Sequence, residues 1–147
     1  VPGSRYVVRQ NMPGANRVGG RGVRFLTPPT GPARALFVQP FTLAAAELEH
    51  IFPNFANEAH AGGFEASLIM EIAPDTIKGT VPDTVPESPV EAFDYLTMAQ
   101  MSPSGVWGEP SQADRERGRR ALAVMVEHSV RHISEAIARI EAAGAAT

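Results

Sequence analysis

Residues 60–70 combine a loop of small residues with an apolar segment: His60-Ala61-Gly62-Gly63-Phe64-Glu65-Ala66-Ser67-Leu68-Ile69-Met70. Phe64, Leu68 and Ile72 are spaced four apart, which is the spacing of one helical face. The pattern predicts a helix over about 63–72 with these three residues on its buried stripe. A helix of this kind would hold the preceding loop in place from below.

The loop before this helix carries polar groups. His60 opens it, and Glu65 follows five positions later on a part of the first turn that lies near His60. Gly62 and Gly63 can adopt φ > 0 and allow backbone or substrate to approach closely. Loops mounted on a rigid element in this way often carry binding or catalytic residues.

Short apolar runs on either side of the loop predict further elements. Residues 35–39 form a run that Pro40 ends, which predicts a buried strand. Thr42 is suited to cap a helix over about 43–51. A third apolar stretch is compatible with a strand and contains Phe93, Tyr95, Leu96 and Met98.

The C-terminal third predicts one long amphipathic helix. Its apolar residues recur at helical spacing as Leu122, Val126, Val130, Ile133, Ile137 and Ile140. We expect the helix to start at Ser111, with Asp114 completing an approximate capping box, and to run to about residue 142. Gly118 would permit close packing of another element against it.

The first 34 residues form an arm rich in Arg, Gly and Pro, with short strands expected at 6–8 and 23–26. The arm holds six Arg and no acid, while residues 35–147 hold seven basic and 16 acidic side chains, which gives +6 and −9 and the total of −3. Such asymmetry can mark a nucleic-acid-binding arm. Lys is absent from it and aromatic residues are few, so we expect the arm to pack on an acidic surface and do not expect nucleic-acid binding.

Buried strands mixed with amphipathic helices predict a layered α/β domain over residues 35–147. The chain of 147 residues has no cysteine, which excludes disulfides and thiolate metal sites. It has no apolar run of about 18 residues and no visible signal peptide. We therefore expect a cytoplasmic protein without a membrane span. Whether Val1 is a natural, processed or trimmed terminus stays open.

Histidines outside the loop are better explained as surface residues. His128 and His132 are four apart, a spacing that can bind a metal ion. Neither a third ligand nor the Glu of an HExxH motif accompanies them, so we expect a surface pair. His50 falls near the end of a predicted helix, where a cation is favoured by the helix dipole.

Residues 60–75 resemble the His-Ala-Gly-Glu-x-Glu-Thr-Ser-Leu segment of the creatininase (creatinine amidohydrolase) family. Ile51-Phe52-Pro53 and Gly105-Val106-Trp107-Gly108-Glu109-Pro110 resemble two more of its segments, and the Arg-rich run at 115–120 resembles its Glu-Lys-Gly-Arg helix. The likeness covers about residues 40–142. Gly63 replaces an acidic residue and Ala66 replaces Thr, and the family's metal-binding motifs, which lie upstream, have no counterpart in this chain.

The resemblance implies the same α/β fold for residues 35–147, with helices flanking a largely parallel sheet, and it also implies site residues. His60 aligns with the family's active-site His, which contacts the substrate and helps to transfer a proton, a task that suits an imidazole. Glu65 aligns with the Glu of Glu-Thr-Ser, and we expect it to orient His60 or to support the metal site. The resemblance places the substrate beside Gly62 and the loop Phe55, Ala56, Asn57, Glu58 and Ala59. No metal ligand is assigned with certainty in this chain.

Two hypotheses about function follow. In the first, the chain is the C-terminal part of a split or processed metal-dependent amidohydrolase that cleaves a C–N amide bond of a small molecule or peptide. A companion N-terminal chain would then complete a site for zinc, manganese or iron, and the assembly would be an oligomer. In the second, the chain is a non-catalytic module derived from the same family and serves assembly or regulation.

Overall fold

The computed structural model describes residues 5–10 and 33–145. Strand β1 spans Arg5–Gln10 and strand β2 spans Ala33–Val38. The two strands pair in parallel, with Arg5 opposite Ala33 and Gln10 opposite Val38. The strands expected at 6–8 and 35–39 are thereby confirmed, whereas the strand expected at 23–26 lies outside the described residues.

Five α-helices lie in the described part of the chain: α1 Pro40–Leu43, α2 Ala45–Ile51, α3 Gly63–Ile72, α4 Met98–Met101 and α5 Arg115–Ala145. Single 3₁₀ turns occur at Phe55–Asn57, Pro74–Thr76, Val90–Asp94 and Pro110–Gln112. No helix of the described part is long and apolar enough to cross a lipid bilayer.

The chain divides into two compact units. One consists of residues 1–43 and 125–147 and contains the β1–β2 pair, and the other consists of residues 44–124 and contains the His60 loop. The larger layered sheet expected from the sequence is not established, because the described residues contain only this one parallel pair.

The core of the 44–124 unit surrounds Leu48 and Phe64, which are buried together with Ala44, Ile51, Phe52, Ala92, Val106, Trp107 and Ala121. The ring of Phe64 contacts Phe52 and Phe55 edge-on, with centroids 5.5 and 5.0 Å apart. Such aromatic pairs stabilise a core beyond the area that they bury. They fix the first turn of α3 on the segment that precedes the loop.

The buried face of α3 differs from the expected stripe. Its buried residues are Gly63, Phe64 and Ser67, whereas Ile72 is 61% exposed. The reason is that α5 passes over Ser67: the Ser67 hydroxyl donates to Gly63 O at 2.5 Å and accepts from Asp114 N at 2.9 Å. The small residues of α3 therefore mark its contact face.

Two expected helix starts and one expected strand are wrong. Helix α2 follows Ala44 without a side-chain cap, and Thr42 lies inside α1. Helix α5 begins at Arg115, because Asp114 accepts from Arg117 N at 2.8 Å and so caps it. The strand considered over 93–98 is instead a 3₁₀ turn followed by α4, which Thr97 and Gln100 cap reciprocally.

The apolar stripe of α5 is only partly buried. Val126 and Val130 are 54% and 58% exposed, while the buried residues of the helix are Gly118, Ala121 and Met125. These three recur at intervals of three and four, so they form a buried face different from the predicted stripe. The predicted helical periodicity is confirmed, and the face predicted from side-chain size is wrong.

Candidate functional site

His60 is carried on a β-bulge. Two successive N–H groups, those of Ala59 and His60, donate to the same Trp107 carbonyl at 3.0 and 3.2 Å, and Trp107 N donates back to His60 O at 2.7 Å. Two residues thus stand opposite one, a device that bends a strand and re-aims a side chain. The indole of Trp107 is buried, whereas the His60 side chain is 52% exposed. The imidazole is accessible on a fixed backbone.

The chain turns sharply after His60 at Ala61, not at a glycine. Ala61 has φ of 53°, in the left-handed region that non-glycine residues seldom occupy. The φ of Gly62 is −82°, so the expected positive φ is not needed there. The N–H of Ala61 donates to Glu65 Oε2, which helps to hold the turn.

Gly62 and Gly63 are required for space. A Cβ on Gly62 would lie 2.4 Å from Glu58 Oε2, and one on Gly63 would lie 2.9 Å from the carbonyl oxygen of Glu109. Gly108 approaches from the other side, and a Cβ there would lie 2.7 Å from the Gly62 Cα. The expected close approach is confirmed, and the partners are a carboxylate and two backbone segments.

Glu65 lies beside His60. Its Oε2 is 3.8 Å from His60 Nδ1, a distance of electrostatic attraction beyond a direct hydrogen bond. The carboxylate is 33% exposed and also holds Ala61 N. The two residues predicted as catalytic are therefore brought together by the fold.

Glu58 occupies the N-terminus of α3. One oxygen accepts from Gly63 N and the other from Phe64 N, both at 2.9 Å. A carboxylate here pairs with the otherwise unsatisfied N–H groups and with the positive end of the helix dipole. Burial raises the pKa of the Glu58 carboxyl, and the backbone N–H groups of Phe64, Gly63 and Glu109 partly offset that effect.

The residues predicted to contact substrate fall into two groups. Ala56 and Asn57 are exposed in the 3₁₀ turn Phe55–Asn57. The others are engaged within the protein: Phe55 packs on Phe64, Glu58 caps α3, Ala59 bonds Trp107, and Gly62 is buried. Ala56 and Asn57 are therefore the exposed part of the loop, and the other residues hold the loop in place.

A second backbone bridge extends the ribbon that holds His60. Gly108 and Thr84 exchange N–H···O bonds of 2.7 and 3.0 Å, so residues 59–60, 107–108 and 84 lie side by side. Asp83 accepts from both the N–H and the hydroxyl of Ser111, and these two bonds lower the pKa of the Asp83 carboxyl. The otherwise irregular segment 77–89 is thereby tied to the ribbon at one point.

Sequence reasoning missed how Ser67, Asp83 and Glu109 contribute. Ser67 joins α3 to the start of α5, Asp83 anchors the segment 77–89, and Glu109 accepts from Asn54 Nδ2. A small polar residue inside an apolar helix was the available signal for Ser67. No local pattern marks Asp83 or Glu109, because their partners lie 28 and 55 residues away.

The described residues contain no group of three or more His, Asp or Glu side chains placed to hold a metal ion. His128 Nδ1 lies 2.9 Å from Arg131 Nη2, so the His128 and His132 pair has a cation beside it. That neighbour is unfavourable for a divalent metal. Within the described part, His60 with Glu65 is the pair of candidate donors in the loop.

Comparisons with known proteins place these features in one family. The family model for creatininase (creatinine amidohydrolase) matches residues 14–133. A mutant creatininase of Zn-Zn type and a creatininase described with Mn each superpose with a TM-score of 0.52, at 21% identity, over 81% of this chain and 48% of theirs. A further creatininase superposes with a TM-score of 0.50, at 21% identity, over 84% of this chain and 48% of its own.

The chain thus spans about half the length of the solved creatininases that it matches. A search of curated protein sequences found no match. The solved structures support the same fold, and the match of the family model over most of the chain shows that it belongs to the creatininase family.

Proposed function

We propose that this chain is the C-terminal part of a metal-dependent amidohydrolase, in which His60 transfers a proton during cleavage of a C–N amide bond. The observation that carries the proposal is the accessible imidazole on a fixed bulge, with the Glu65 carboxylate 3.8 Å from Nδ1. Membership of the creatininase family supports the reaction class. A companion N-terminal chain would complete the site.

The proposed chemistry rests on proton transfer. Amide hydrolysis needs a group that accepts a proton from the attacking water and donates one to the leaving nitrogen. The exposed His60 ring can do both, and Glu65 would orient the ring from 3.8 Å away. The exposed Ala56 and Asn57 would contact the substrate, with Phe55, Glu58, Ala59 and Gly62 holding the loop beneath them.

The metal that the family implies does not fit the donors of the described residues alone. A catalytic zinc site takes three protein ligands, and His60 with Glu65 would supply two at most. One Glu65 oxygen is already bound to Ala61 N, and both Glu58 oxygens are bound to α3. We therefore assign the ligands for zinc, manganese or iron to the companion chain.

The wider setting is proposed on the same basis. Residues 35–147 would form the C-terminal portion of a layered α/β domain with a largely parallel sheet, preceded by the arm at 1–34. The complete protein would be a cytoplasmic oligomer acting on a small-molecule or peptide amide.

The alternative is a non-catalytic module that serves assembly or regulation. One observation favours it: both carboxylates of the loop, Glu58 and Glu65, bind backbone N–H groups. A loop whose acids are used in this way could persist for its shape alone. The exposure of His60 is the feature that this alternative leaves unexplained.

The test is amide hydrolysis by the metal-loaded assembly, with creatinine and a panel of small amides. We expect His60→Ala to lower kcat by about 10²- to 10⁴-fold, the usual contribution of a positioned acid–base group. The melting temperature should change little, because the side chain is half exposed. Glu65→Gln should also lower kcat, and the two effects should be less than additive, because both act through one imidazole.

His128→Ala and His132→Ala are the controls, since both residues lie on α5 in the other unit. Each should retain activity near that of the parent protein. Normal turnover by His60→Ala would remove the catalytic proposal and favour the assembly module.

A further inference from the structure

We infer that Glu58 is a positioning residue for His60: its carboxylate fixes the turn between the bulge and α3, and thereby the direction of the imidazole. The inference rests on the proposed function only in taking His60 as the reacting group. Its structural part, that Glu58 orders the loop, stands independently of any activity.

The Glu58 carboxylate is the centre of a tightly packed cluster. Its oxygens accept from Gly63 N and Phe64 N at 2.9 Å. The space around it is so limited that a methyl group on Gly62 would fall 2.4 Å from Oε2, and one on Gly108 would fall 3.1 Å from Cγ. Three glycines, at positions 62, 63 and 108, therefore leave room for one carboxylate.

The contacts of Glu58 hold one end of the short backbone turn that follows His60. This turn is held at one end where the N–H groups of Ala59 and His60 donate to the Trp107 carbonyl. At the other end, the Glu58 carboxylate accepts from the first N–H groups of α3. Ala61 and Gly62 are the residues between these two anchors, and Ala61 has a left-handed φ of 53°. A strained residue persists only when its surroundings fix it. Loss of the Glu58 anchor would free it to relax, and His60 would turn with it.

The charges around Glu58 agree with a structural use of the carboxylate. A small cleft of about 150 Å³ beside it is lined by Asn54, Glu109 and Arg117 among others. Glu109 is occupied by Asn54 Nδ2 and repels a charge on Glu58. Helix α3 has ten residues, so its N-terminal N–H groups are the principal stabilising partners of the anion.

The experiment compares Glu58→Gln with Glu71→Gln in the purified metal-loaded assembly. Glu71 also lies on α3, and its carboxylate makes an ion pair with Arg115 at 2.9 Å. Hydrogen exchange of peptides covering 59–66, read by mass spectrometry, reports the order of the loop without reference to activity. We expect Glu58→Gln to speed exchange there by about tenfold or more, because a charge-assisted bond to each N–H is lost. Glu71→Gln should leave this peptide unchanged.

Gly62→Ala is the second variant, because it keeps the Glu58 charge and displaces the carboxylate by crowding. It should speed exchange in the same peptide. For both variants kcat should fall while KM changes little, since the imidazole is misaligned and the exposed substrate edge remains. Glu58→Asp, which keeps the charge on a shorter chain, should recover part of the loss.

Parent-like exchange over 59–66 in Glu58→Gln and Gly62→Ala would overturn the inference, as would an equal rise over the whole chain. A fall in kcat by His60→Ala without any effect of Glu58→Gln on exchange would sustain the proposed function and reject the positioning role. Faster exchange in Glu58→Gln together with full activity of His60→Ala would sustain the ordering of the loop by Glu58 and reject the proposed function.

Discussion

The carboxylates of Glu65, Glu58 and Asp83 lie in different environments. Glu65 lies 3.8 Å from His60 Nδ1 and is partly exposed. Burial raises the pKa of the Glu58 carboxyl in spite of three backbone N–H donors. Asp83 lies in water, and its bonds to Ser111 lower the pKa of its carboxyl. Glu58, unlike Asp83, is therefore a charge that the fold holds against desolvation.

The raised pKa of Glu58 predicts the sign of a pH effect. The folded protein binds the Glu58 proton more tightly than the unfolded chain, so this group's contribution to the free energy of unfolding falls as pH rises above about 4.5 through the raised pKa. The advantage of the parent protein over Glu58→Gln should accordingly shrink over that window. Urea melts of both proteins at a series of pH values from 4.5 to 7 measure it. A growing advantage would show that the N–H bonds outweigh burial.

At the scale of elements, the first turns of α5 lie very close to the backbone of α3 at Gly118. A Cβ on Gly118 would lie 1.9 Å from the carbonyl oxygen of Ser67. Beside this contact the Ser67 hydroxyl accepts a hydrogen bond from Asp114 N. The crossing holds the helix that carries Glu65 and thus supports the loop.

Gly118→Ala tests this crossing. Helix propensity alone would favour Ala by about 1 kcal/mol, but the contact is with backbone, which cannot move aside as a side chain can. We expect overpacking to prevail and the free energy of unfolding to fall by about 1–3 kcal/mol. Denaturant melts give the value, with Gly144→Ala, on the exposed end of α5, as the control. Equal or greater stability of Gly118→Ala would show that the helices stand further apart.

The positions of the helices could be predicted from the sequence, whereas most contacts of the His60 loop could not. The period of four in Phe64 and Leu68 and the long stripe of α5 gave helix positions, because periodicity is a local property. The buried faces were mispredicted at Ile72 and Val126, since small residues such as Gly118 and Ser67 make the contact and carry little hydrophobic signal. The nearness of Glu65 to His60 could be predicted from one helical turn. The Trp107 bulge and the Glu58 cap could not, because they pair the loop with residue 107 and with backbone N–H groups.

At the scale of the molecule, several large apolar side chains face solvent. Tyr95 is 74% exposed, Ile72 is 61% exposed, and Val126 and Val130 lie one turn apart on α5. Val126 and Val130 are neighbours on one face of α5, and adjacent exposed apolar side chains are typical of a surface that a partner covers. The observation agrees with the proposal of a companion chain and an oligomer.

Light scattering of the purified protein should therefore find a species larger than the 15.7 kDa chain. Intact-mass analysis should find a second polypeptide in equal amount that carries the family's upstream metal motifs. Tyr95→Ser with Val130→Ser is a variant that should weaken the assembly if these residues are covered. A stable, monodisperse monomer would count against the companion chain.

Metal content tests independently whether this chain alone contains enough ligands for a metal site. The chain purified by itself should hold less than one equivalent of zinc or manganese, because His60 and Glu65 provide too few ligands for tight binding. The assembly should hold metal in stoichiometric amount, and a chelator should remove its activity. Tightly bound stoichiometric metal on the single chain would locate the ligands within it.

The bulge at Ala59 and His60 makes the loop sensitive to its length. Two residues share one carbonyl of Trp107, so removing a single residue from 55–59 would restore ordinary pairing and send the next side chain to the opposite face of the ribbon. Substitutions at the exposed Ala56 and Asn57 leave that count intact. In related chains, positions 56 and 57 should therefore vary in composition, while insertions and deletions are confined to other loops.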